Sequence, residues 1–421
     1  MSLLCGPRPS ILLAALSPTL MLAVVLVVSV SQAHGQTYKI LHVFGSGSDG
    51  AGPSGGLVAD AAGNLYGTTE SGGTGNCNGF GCGTVFSLTQ TNGAWTETVI
   101  HSFQGSDGMG TLMPPTLDAA GNVFATTPQC LSGCNGTVVE LIPQQNGTWS
   151  EKVLHAFGSP PDGGFPFSGV TFDAANGTVY GDTQQGGIGQ FGFGTVYAFS
   201  GPNYSNYSIL YSFNPKEVSA DSNPGGGILA LDAAGNLYGT ATNYLEQSTI
   251  FRLSPNQQGG WTETILYRFA EIENGSDPVG GVILDASGNL YGATYSGGPL
   301  NGNYGVIYKL ASNQDGSWTF SVLYAFQGGN DGSFGSSAPT FDSAGNLYGT
   351  TQYGGTDHNG TVFKLTPTVQ GQWTKTILHN FNRLDGISQL SKLWLDGHGN
   401  IYGTTITGGA YSSGLVFQIT Q

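Results

Sequence analysis

A chain of 421 residues with 70 glycines and only 9% charged residues has few helix-forming side chains, which disfavours a helical or α/β enzyme. Its 26 acidic residues against 11 lysines and arginines give a net charge of −15, and no basic cluster is present. Nucleic acids and anionic membranes are therefore not expected partners.

The first segment is typical of a signal peptide. Arg8 precedes an apolar run from Ile11 to Val30, and Ser31-Gln32-Ala33 forms a small-x-small cleavage site. An uncleaved membrane anchor is the alternative, because the run is long enough to span a bilayer. We therefore divide the chain into a signal peptide at residues 1–35 and one domain at residues 36–421, and we expect a secreted or periplasmic protein.

A strand is predicted directly after this segment, from Thr37 to Phe44. Its pattern returns six times, and most of the later copies run from a Trp to a Phe. These copies lie at residues 95–103, 149–157, 205–213, 261–269, 318–326 and 373–381. The first copy has no partner strand nearby at the N-terminus.

A second motif, Asp60-Ala-Ala-Gly-Asn-Leu-Tyr-Gly67, also recurs in seven near-copies. The later copies begin at Asp118, Asp173, Asp232, Asp285, Asp342 and Asp396, at intervals of 58, 55, 59, 53, 57 and 54 residues. The motif fits a type I turn between two strands, in which the Gly takes a positive φ and the Asp caps the turn amides.

Each repeat resolves into four strands. In the first repeat these are a strand that ends at Asp60, residues 64–69, residues 83–88 and the Trp-to-Phe strand. The third strand alternates apolar and polar residues, as Phe86, Ser87 and Leu88 do. Seven such units predict an all-β, seven-bladed β-propeller with four antiparallel strands per blade. The last unit lacks a fourth strand, so the N-terminal strand is expected to complete it and close the ring.

These spaced motifs resemble the GloVer tandem-repeat family of secreted bacterial proteins with varied surface anchors. The resemblance rests on Asp-Ala-Ala-Gly-Asn-Leu-Tyr-Gly-Thr-Thr, on Gly-Thr-Val-Phe-x-Leu and on Trp-Thr-Glu-Thr-x-Leu-x-x-Phe, and it covers nearly everything after the signal segment. It implies an exported bacterial protein of unassigned molecular role and transfers no catalytic residues. This chain departs from many relatives in lacking a recognisable C-terminal anchor.

Four cysteines occupy the loops between second and third strands of the first two repeats. In an exported protein they indicate disulfides, most simply Cys77 with Cys82 and Cys130 with Cys134. A single zinc ion held by all four is the alternative. The histidines carry no comparable signal. His42, His101, His155 and His379 share a position that holds Tyr in three other repeats, which indicates packing. No metal site and no cofactor are predicted.

A second series of Asp residues falls in the loops from a fourth strand to the next first strand. Turn capping explains these Asp residues, and a carboxylate set for ligand hydroxyls is the functional alternative. The loops between second and third strands share this face and carry aromatic residues, which suit carbohydrate stacking. The predicted ligand-binding set is Asp49, Asp107, Asp162, Asp331, Asp385, Phe191, Tyr295, Tyr353 and Tyr411.

The sequence thus predicts a secreted, monomeric scaffold that binds a glycan or an extracellular protein through this loop face. No Ser/His/Asp set, Cys/His set or phosphate loop stands out. Two other hypotheses remain. One is a polysaccharide hydrolase or lyase that uses loop Asp residues, and the other is a structural matrix component without a specific ligand.

Overall fold

In the computed structural model of the protein, the first six repeats each form an antiparallel sheet whose four main strands follow sequence order, and the seventh repeat forms a sheet with the N-terminal strand. The structure describes residues 36–45, 47–131, 133–188, 192–213, 224, 227–242, 248–300, 302–387 and 391–421. Seven such sheets make a seven-bladed β-propeller, which confirms the predicted fold. The described elements are strands and short 3₁₀ turns, and they include no α-helix.

The strands, blade by blade, are Val58–Ala59, Leu65–Thr69, Thr84–Thr91 and Ala94–Ser102; Thr116–Leu117, Val123–Thr127, Thr137–Pro143 and Trp149–Ala156; Thr171–Asp173, Thr178–Thr183, Thr195–Ser200 and Asn206–Ser212; Ala230–Leu231, Leu237–Ala241, Thr249–Pro255 and Trp261–Arg268; Ser276–Leu284, Leu290–Ser296, Val306–Ser312 and Trp318–Ala325; Thr340–Phe341, Leu347–Tyr353, Thr361–Pro367 and Trp373–Asn380; and Trp394–Leu395, Ile401–Thr405, Leu415–Thr420 and Thr37–Val43. Short additional strands lie at Gly163–Gly164, Gln185–Gly186 and Ser333–Gly335, and 3₁₀ turns lie at Gly47–Asp49, Pro202–Tyr204, Ile272–Asn274 and Gly329–Asp331.

The N-terminal strand closes the ring as predicted. Thr37–Val43 pairs antiparallel with Leu415–Thr420, so it is the fourth strand of the seventh blade. Phe44 follows this strand, is fully buried, and packs against Phe86 of the first blade with ring centroids 5.1 Å apart. The two ends of the described chain therefore share one sheet, and the third strand of this blade is not left as an unpaired edge.

The repeated Asp turn also has the predicted geometry. Asp60 Oδ1 accepts hydrogen bonds from the backbone amides of Ala62 and Asn64, both at 2.9 Å. Asp60 Oδ2 accepts hydrogen bonds from the side chains of Asn64 and Tyr66. Gly63 has a φ of +84°, the conformation that the turn requires of its glycine. The carboxylate that recurs in every repeat is therefore occupied by its own hairpin.

Six of the seven first strands are only two or three residues long. In the first blade only Val58–Ala59 pairs with the second strand. The residues before it turn to the neighbouring blade instead, and Gly56 forms a parallel bridge with Lys392. The repeats converge here around the ring axis, so neighbouring blades compete for the backbone groups that a longer strand would use.

A glycine in most second strands makes room for an aromatic ring of the third strand. A Cβ atom on Gly67 would lie 2.4 Å from Cζ of Phe86, which is buried directly opposite it. In the second blade the second-strand residue is larger and the third-strand residue is smaller, because Ala125 there faces Val139. The side-chain volumes of the two positions are therefore matched within each of these blades.

Residues 36–421 form one compact unit. No helix within the described ranges is long and apolar enough to cross a membrane. The signal peptide predicted at residues 1–35 lies outside the described residues.

Candidate functional site

The loops predicted to share one face do so. The loop that enters each blade pairs with the end of that blade's second strand, as Ala51 does with Ser71 and Met109 with Gln129. We call this side of the ring the loop face and the side with the Asp hairpins the turn face.

A cavity of about 640 Å³ opens on the ring axis. Its walls come from the starts of the first strands of several blades and from the loop residues before them. Apolar side chains form much of the wall: Leu112, Met113, Ile228, Leu229, Val279, Val282 and Ile283. We call this cavity the axial funnel, and its volume suits a small-molecule ligand.

Lys392 is the one described basic residue in the funnel wall. It lies four residues before the hairpin Asp of the seventh repeat. The corresponding positions of the other repeats are small or apolar: Gly56, Pro114, Gly169, Ile228, Gly281 and Ala338. Burial lowers the pKa of the Lys392 ammonium, and no ion pair joins it to a described carboxylate. This amino group is therefore available to a ligand as a hydrogen-bond donor.

Two acidic residues share the same wall, Glu70 and Asp277. Glu70 follows the second strand of the first blade, and burial raises the pKa of its carboxyl, although a hydrogen bond with Ser54 lowers it. Asp277 is exposed, and its Oδ2 accepts a hydrogen bond from Ser296 Oγ at 2.8 Å. The funnel thus combines apolar walls with one lysine amino group and two acidic side chains.

One loop position on the loop face has a positive φ in five of the blades. Phe165, Asp277 and Phe334 occupy the same loop position in three blades and have φ values of +57°, +55° and +61°. Gly52 and Gly110 occupy this position in the first two blades, with φ values of +69° and +74°. Side chains rarely adopt this conformation, and such strain concentrates at functional sites.

Two of the predicted aromatic residues are brought together here. The ring of Phe334 lies 4.7 Å from that of Tyr295 and 5.7 Å from that of Tyr353, measured between centroids. Tyr353 is 45% exposed, so this aromatic cluster offers a ring surface to solvent. Tyr411 is exposed on another blade, and Phe191 lies outside the described residues.

The five predicted Asp residues instead hold the loops in place. Each carboxylate accepts a hydrogen bond from a backbone amide near the start of its loop, and these amides belong to Gly45, Gln104, Gly158, Gln327 and Asn382. Each carboxylate also contacts the His or Tyr that precedes the recurrent Phe by two residues. The pairs are His42 with Asp49, His101 with Asp107, His155 with Asp162, Tyr324 with Asp331 and His379 with Asp385.

These couples explain why the sequence accepts either His or Tyr at that position. An imidazole N–H and a phenol O–H both donate to the carboxylate, and both rings pack on the buried Phe that follows. In the couple of His155 with Asp162, both carboxylate oxygens accept a side-chain hydrogen bond, because Tyr207 Oη donates to Asp162 Oδ1 at 2.8 Å. These donors outweigh the desolvation of the Asp162 carboxyl and lower its pKa to about 2.

Both predicted disulfides are present. Cys77 is bonded to Cys82 and Cys130 to Cys134, with Cα atoms 5.1 and 5.5 Å apart. The four sulfur atoms are thereby paired, so the alternative of a shared zinc ion does not describe this structure. Two disulfides are typical of proteins that fold in an oxidising compartment.

Sequence reasoning missed Lys392, Glu70 and Phe334, and it left Asp277 out of the predicted binding set. Lys392 and Glu70 are the only charged residues at their repeat positions, so a comparison of the repeats column by column would have revealed these two. The convergence of Lys392, Glu70 and Asp277 on one funnel depends on the ring and is invisible in any single repeat.

The family described as Gloeobacter/Verrucomicrobia repeat matches residues 26–245 and again residues 224–421. The chain belongs to this repeat family. As a Gloeobacter/Verrucomicrobia repeat protein it has the repeat motifs noted above across nearly its whole length. No curated protein matches it.

Solved structures resemble this repeat protein in fold. A protein from Lactobacillus plantarum is 15% identical, with a TM-score of 0.50 and 90% of each chain covered. A periplasmic gluconolactonase from Pseudomonas aeruginosa is 15% identical, with a TM-score of 0.48, and the match covers 78% of this chain and 84% of that one. At such identities the likeness concerns the fold alone.

Proposed function

We propose that this repeat protein binds a neutral carbohydrate in the axial funnel of its loop face. The observation that supports the proposal is the composition of one cavity of about 640 Å³, in which Lys392 and Glu70 are set among apolar walls. Ligand sites commonly combine a mainly apolar lining with a few placed polar groups.

The chemistry of the funnel suits a sugar. The C–H face of a pyranose packs on aliphatic and aromatic side chains, and its hydroxyl groups need donors and acceptors at defined places. Lys392 supplies a donor, and Glu70 and Asp277 supply acceptors. The exposed aromatic cluster around Phe334 offers a stacking surface for a further sugar unit on the loop face.

A glycan array followed by titration calorimetry tests this proposal. Lys392→Met and Glu70→Gln are expected to weaken binding by about tenfold or more, because each removes a hydrogen bond to a charged group. His398→Ala is the control, since His398 is 90% exposed on the turn face and should leave binding unchanged. No saturable binding to any carbohydrate, or wild-type affinity in both funnel variants, would overturn the proposal.

A protein ligand is a second candidate, because exposed apolar side chains concentrate on the loop face. Of 11 large hydrophobic residues exposed in the described ranges, only Ile40, Val153 and Val369 lie elsewhere. The other eight are Phe80, Leu131, Ile188, Ile272, Leu300, Tyr353, Leu384 and Tyr411. Such a distribution is typical of an interaction surface.

The two candidates are separable by substitution. Phe80→Ser with Tyr411→Ser should abolish binding of a protein partner and leave a funnel sugar bound, since neither residue lines the funnel. Protein binding is contradicted if surface cross-linking on native cells yields the same adducts for this variant and for the wild type.

We further propose that the protein works outside the cytoplasm after removal of residues 1–35. The two disulfides and the predicted signal peptide support this location. N-terminal sequencing of the exported protein should find a start between residues 34 and 36. A chain that keeps Met1 in the membrane fraction would contradict it.

A further inference from the structure

In five of the seven blades, one residue of the fourth strand lies against the His–Asp or Tyr–Asp couple of the preceding blade. This residue is two positions after the Trp that begins most fourth strands, and we call it the junction residue. Tyr207 is the junction residue of the third blade, and it stacks on His155 with ring centroids 3.9 Å apart. Lys375 is that of the sixth blade and lies 3.1 Å from Asp331.

In the first two blades the junction residue is a glutamate. Glu97 of the first blade joins His42 and Asp49 of the seventh, and one ligand atom from each of the three lies within 4.8 Å of the others. Where Tyr207 offers a hydroxyl donor to its neighbouring carboxylate, Glu97 offers only acceptors. Two carboxylates therefore face one imidazole.

We propose that His42, Asp49 and Glu97 bind one divalent transition-metal ion, of which Zn²⁺ is the best-suited example. One imidazole nitrogen and two carboxylate oxygens are ligands that Zn²⁺ accepts, and a fourth position is left for water. The site lies between two blades and away from the axial funnel, so it is independent of the carbohydrate proposal.

The buried oxygen of Glu97 is the second observation that supports this site. Glu97 Oε1 is inaccessible to solvent and accepts no hydrogen bond within the described structure. A buried carboxylate oxygen without a partner is costly, and a cation that also touches Asp49 and His42 would satisfy it. In a metal-bound state the ion takes the place of the proton that His42 Nε2 and Asp49 Oδ1 share at 3.2 Å.

The remaining contacts of these side chains are those expected around metal ligands. Asp49 Oδ2 accepts a hydrogen bond from the amide of Gly45 at 2.6 Å, which fixes the carboxylate. The His42 ring packs edge-on against Phe44, with centroids 4.7 Å apart, which fixes the imidazole plane. Groups that orient ligands in this way raise the affinity of a metal site.

The next junction repeats this arrangement. His101, Asp107 and Glu151 also place ligand atoms within 4.8 Å of one another. Asp107 Oδ1 is held by the amide of Gln104 at 2.7 Å, and the His101 ring packs on Phe103. We assign a second ion of the same class to this cluster, more open to solvent because Glu151 is exposed.

Metal content tests both sites. The untagged protein is stripped with a chelator, equilibrated with ZnCl₂ and analysed by mass spectrometry, and two ions per chain are expected. Glu97→Gln and Glu151→Gln should each remove one ion, and the double variant should bind Zn²⁺ at least about tenfold more weakly. His155→Gln is the matched control, because the third junction already has its Tyr207 donor, and its content should stay at two.

A second measurement guards against misfolded variants. Glu97→Tyr copies the third junction, so it should fold, lose one ion and no longer gain thermal stability from ZnCl₂ at the first site. The proposal is overturned if the wild type binds Zn²⁺ and Mn²⁺ no better than the double glutamine variant, or if His155→Gln loses an ion instead.

Discussion

Lys375 Nζ lies 3.1 Å from Asp331 Oδ1 across the junction of the fifth and sixth blades, and only 3% of the lysine side chain is exposed. Burial lowers the pKa of Lys375 to about 8, and the Asp331 charge opposes that shift. The ammonium also lies 4.9 Å from the centroid of the Phe326 ring. Lys375 takes the place that a glutamate, a tyrosine or a phenylalanine holds at the other junctions.

Asp331→Asn is expected to destabilise the protein by about 3 kcal/mol at pH 7, because it leaves a buried ammonium without its anion. The difference in free energy of unfolding between the wild type and the variant should shrink as the pH rises through 8, since folded Lys375 then loses its proton and the ion pair disappears from the wild type as well. Denaturant unfolding of both proteins at pH 7 and pH 10 measures this difference. Asp385→Asn removes a similar loop cap without a lysine, so its deficit should not change between these pH values.

Asp182→Thr is expected to stabilise the protein above pH 7. Burial raises the pKa of Asp182 to about 7, although Ser168 donates a hydrogen bond to its carboxylate. The unfolded chain ionises near the ordinary pKa of 3.8, so the folded state binds more protons between these values. The free energy of unfolding therefore falls as the pH rises from about 4 to 7.

Threonine fits this position, because five other repeats hold it there: Thr68, Thr126, Thr240, Thr350 and Thr404. The gain from Asp182→Thr should reach at most about 4 kcal/mol at pH 8 and fade toward pH 4. Thermal unfolding at both pH values gives the comparison. An equal gain at pH 4 and pH 8 would show that packing, and not ionisation, causes the effect.

Gly67→Ala is expected to destabilise the first blade by about 1–3 kcal/mol, because its Cβ would lie 2.4 Å from the Phe86 ring. Adding Phe86→Val should recover part of this loss, since the second blade pairs Ala125 with Val139 in the same register. A double-mutant cycle of unfolding free energies measures the coupling. Additive losses in the double variant would refute the volume match.

A chain that starts at residue 45 is expected to associate with itself. It would expose the edge of Leu415–Thr420 and the pocket of the fully buried Phe44. Light scattering coupled to size exclusion should show oligomers for this chain and a monomer for residues 36–421. A synthetic peptide of residues 36–44 should restore the monomer, and a truncated chain that is monomeric without the peptide would count against ring closure by this strand.

The seven-fold pattern was readable from sequence because it follows from local chemistry. The Asp60 hairpin uses donors within six residues of the carboxylate, and the alternation around Phe86 follows from the period of a β-strand. The missing fourth strand of the last repeat also predicted that the N-terminal strand completes that repeat, which the pairing of Thr37–Val43 with Leu415–Thr420 confirms. These relationships need no knowledge of how the blades are arranged.

The sites depend on contacts between repeats, which a single repeat does not encode. Lys392 meets Glu70 in one funnel only because the first strands converge on a common axis. Glu97 meets His42 only because the chain's first strand becomes part of its last blade. Sequence by itself thus determined the period and the strands, since these arise from short-range hydrogen bonds and hydrophobic alternation. It also indicated the closed ring, because the count of strands left one unpaired strand at the N-terminus and one missing strand in the last repeat. Only the tertiary structure decided which departures from the repeat share a cavity or a junction, because closure of the ring brings together residues more than 300 positions apart.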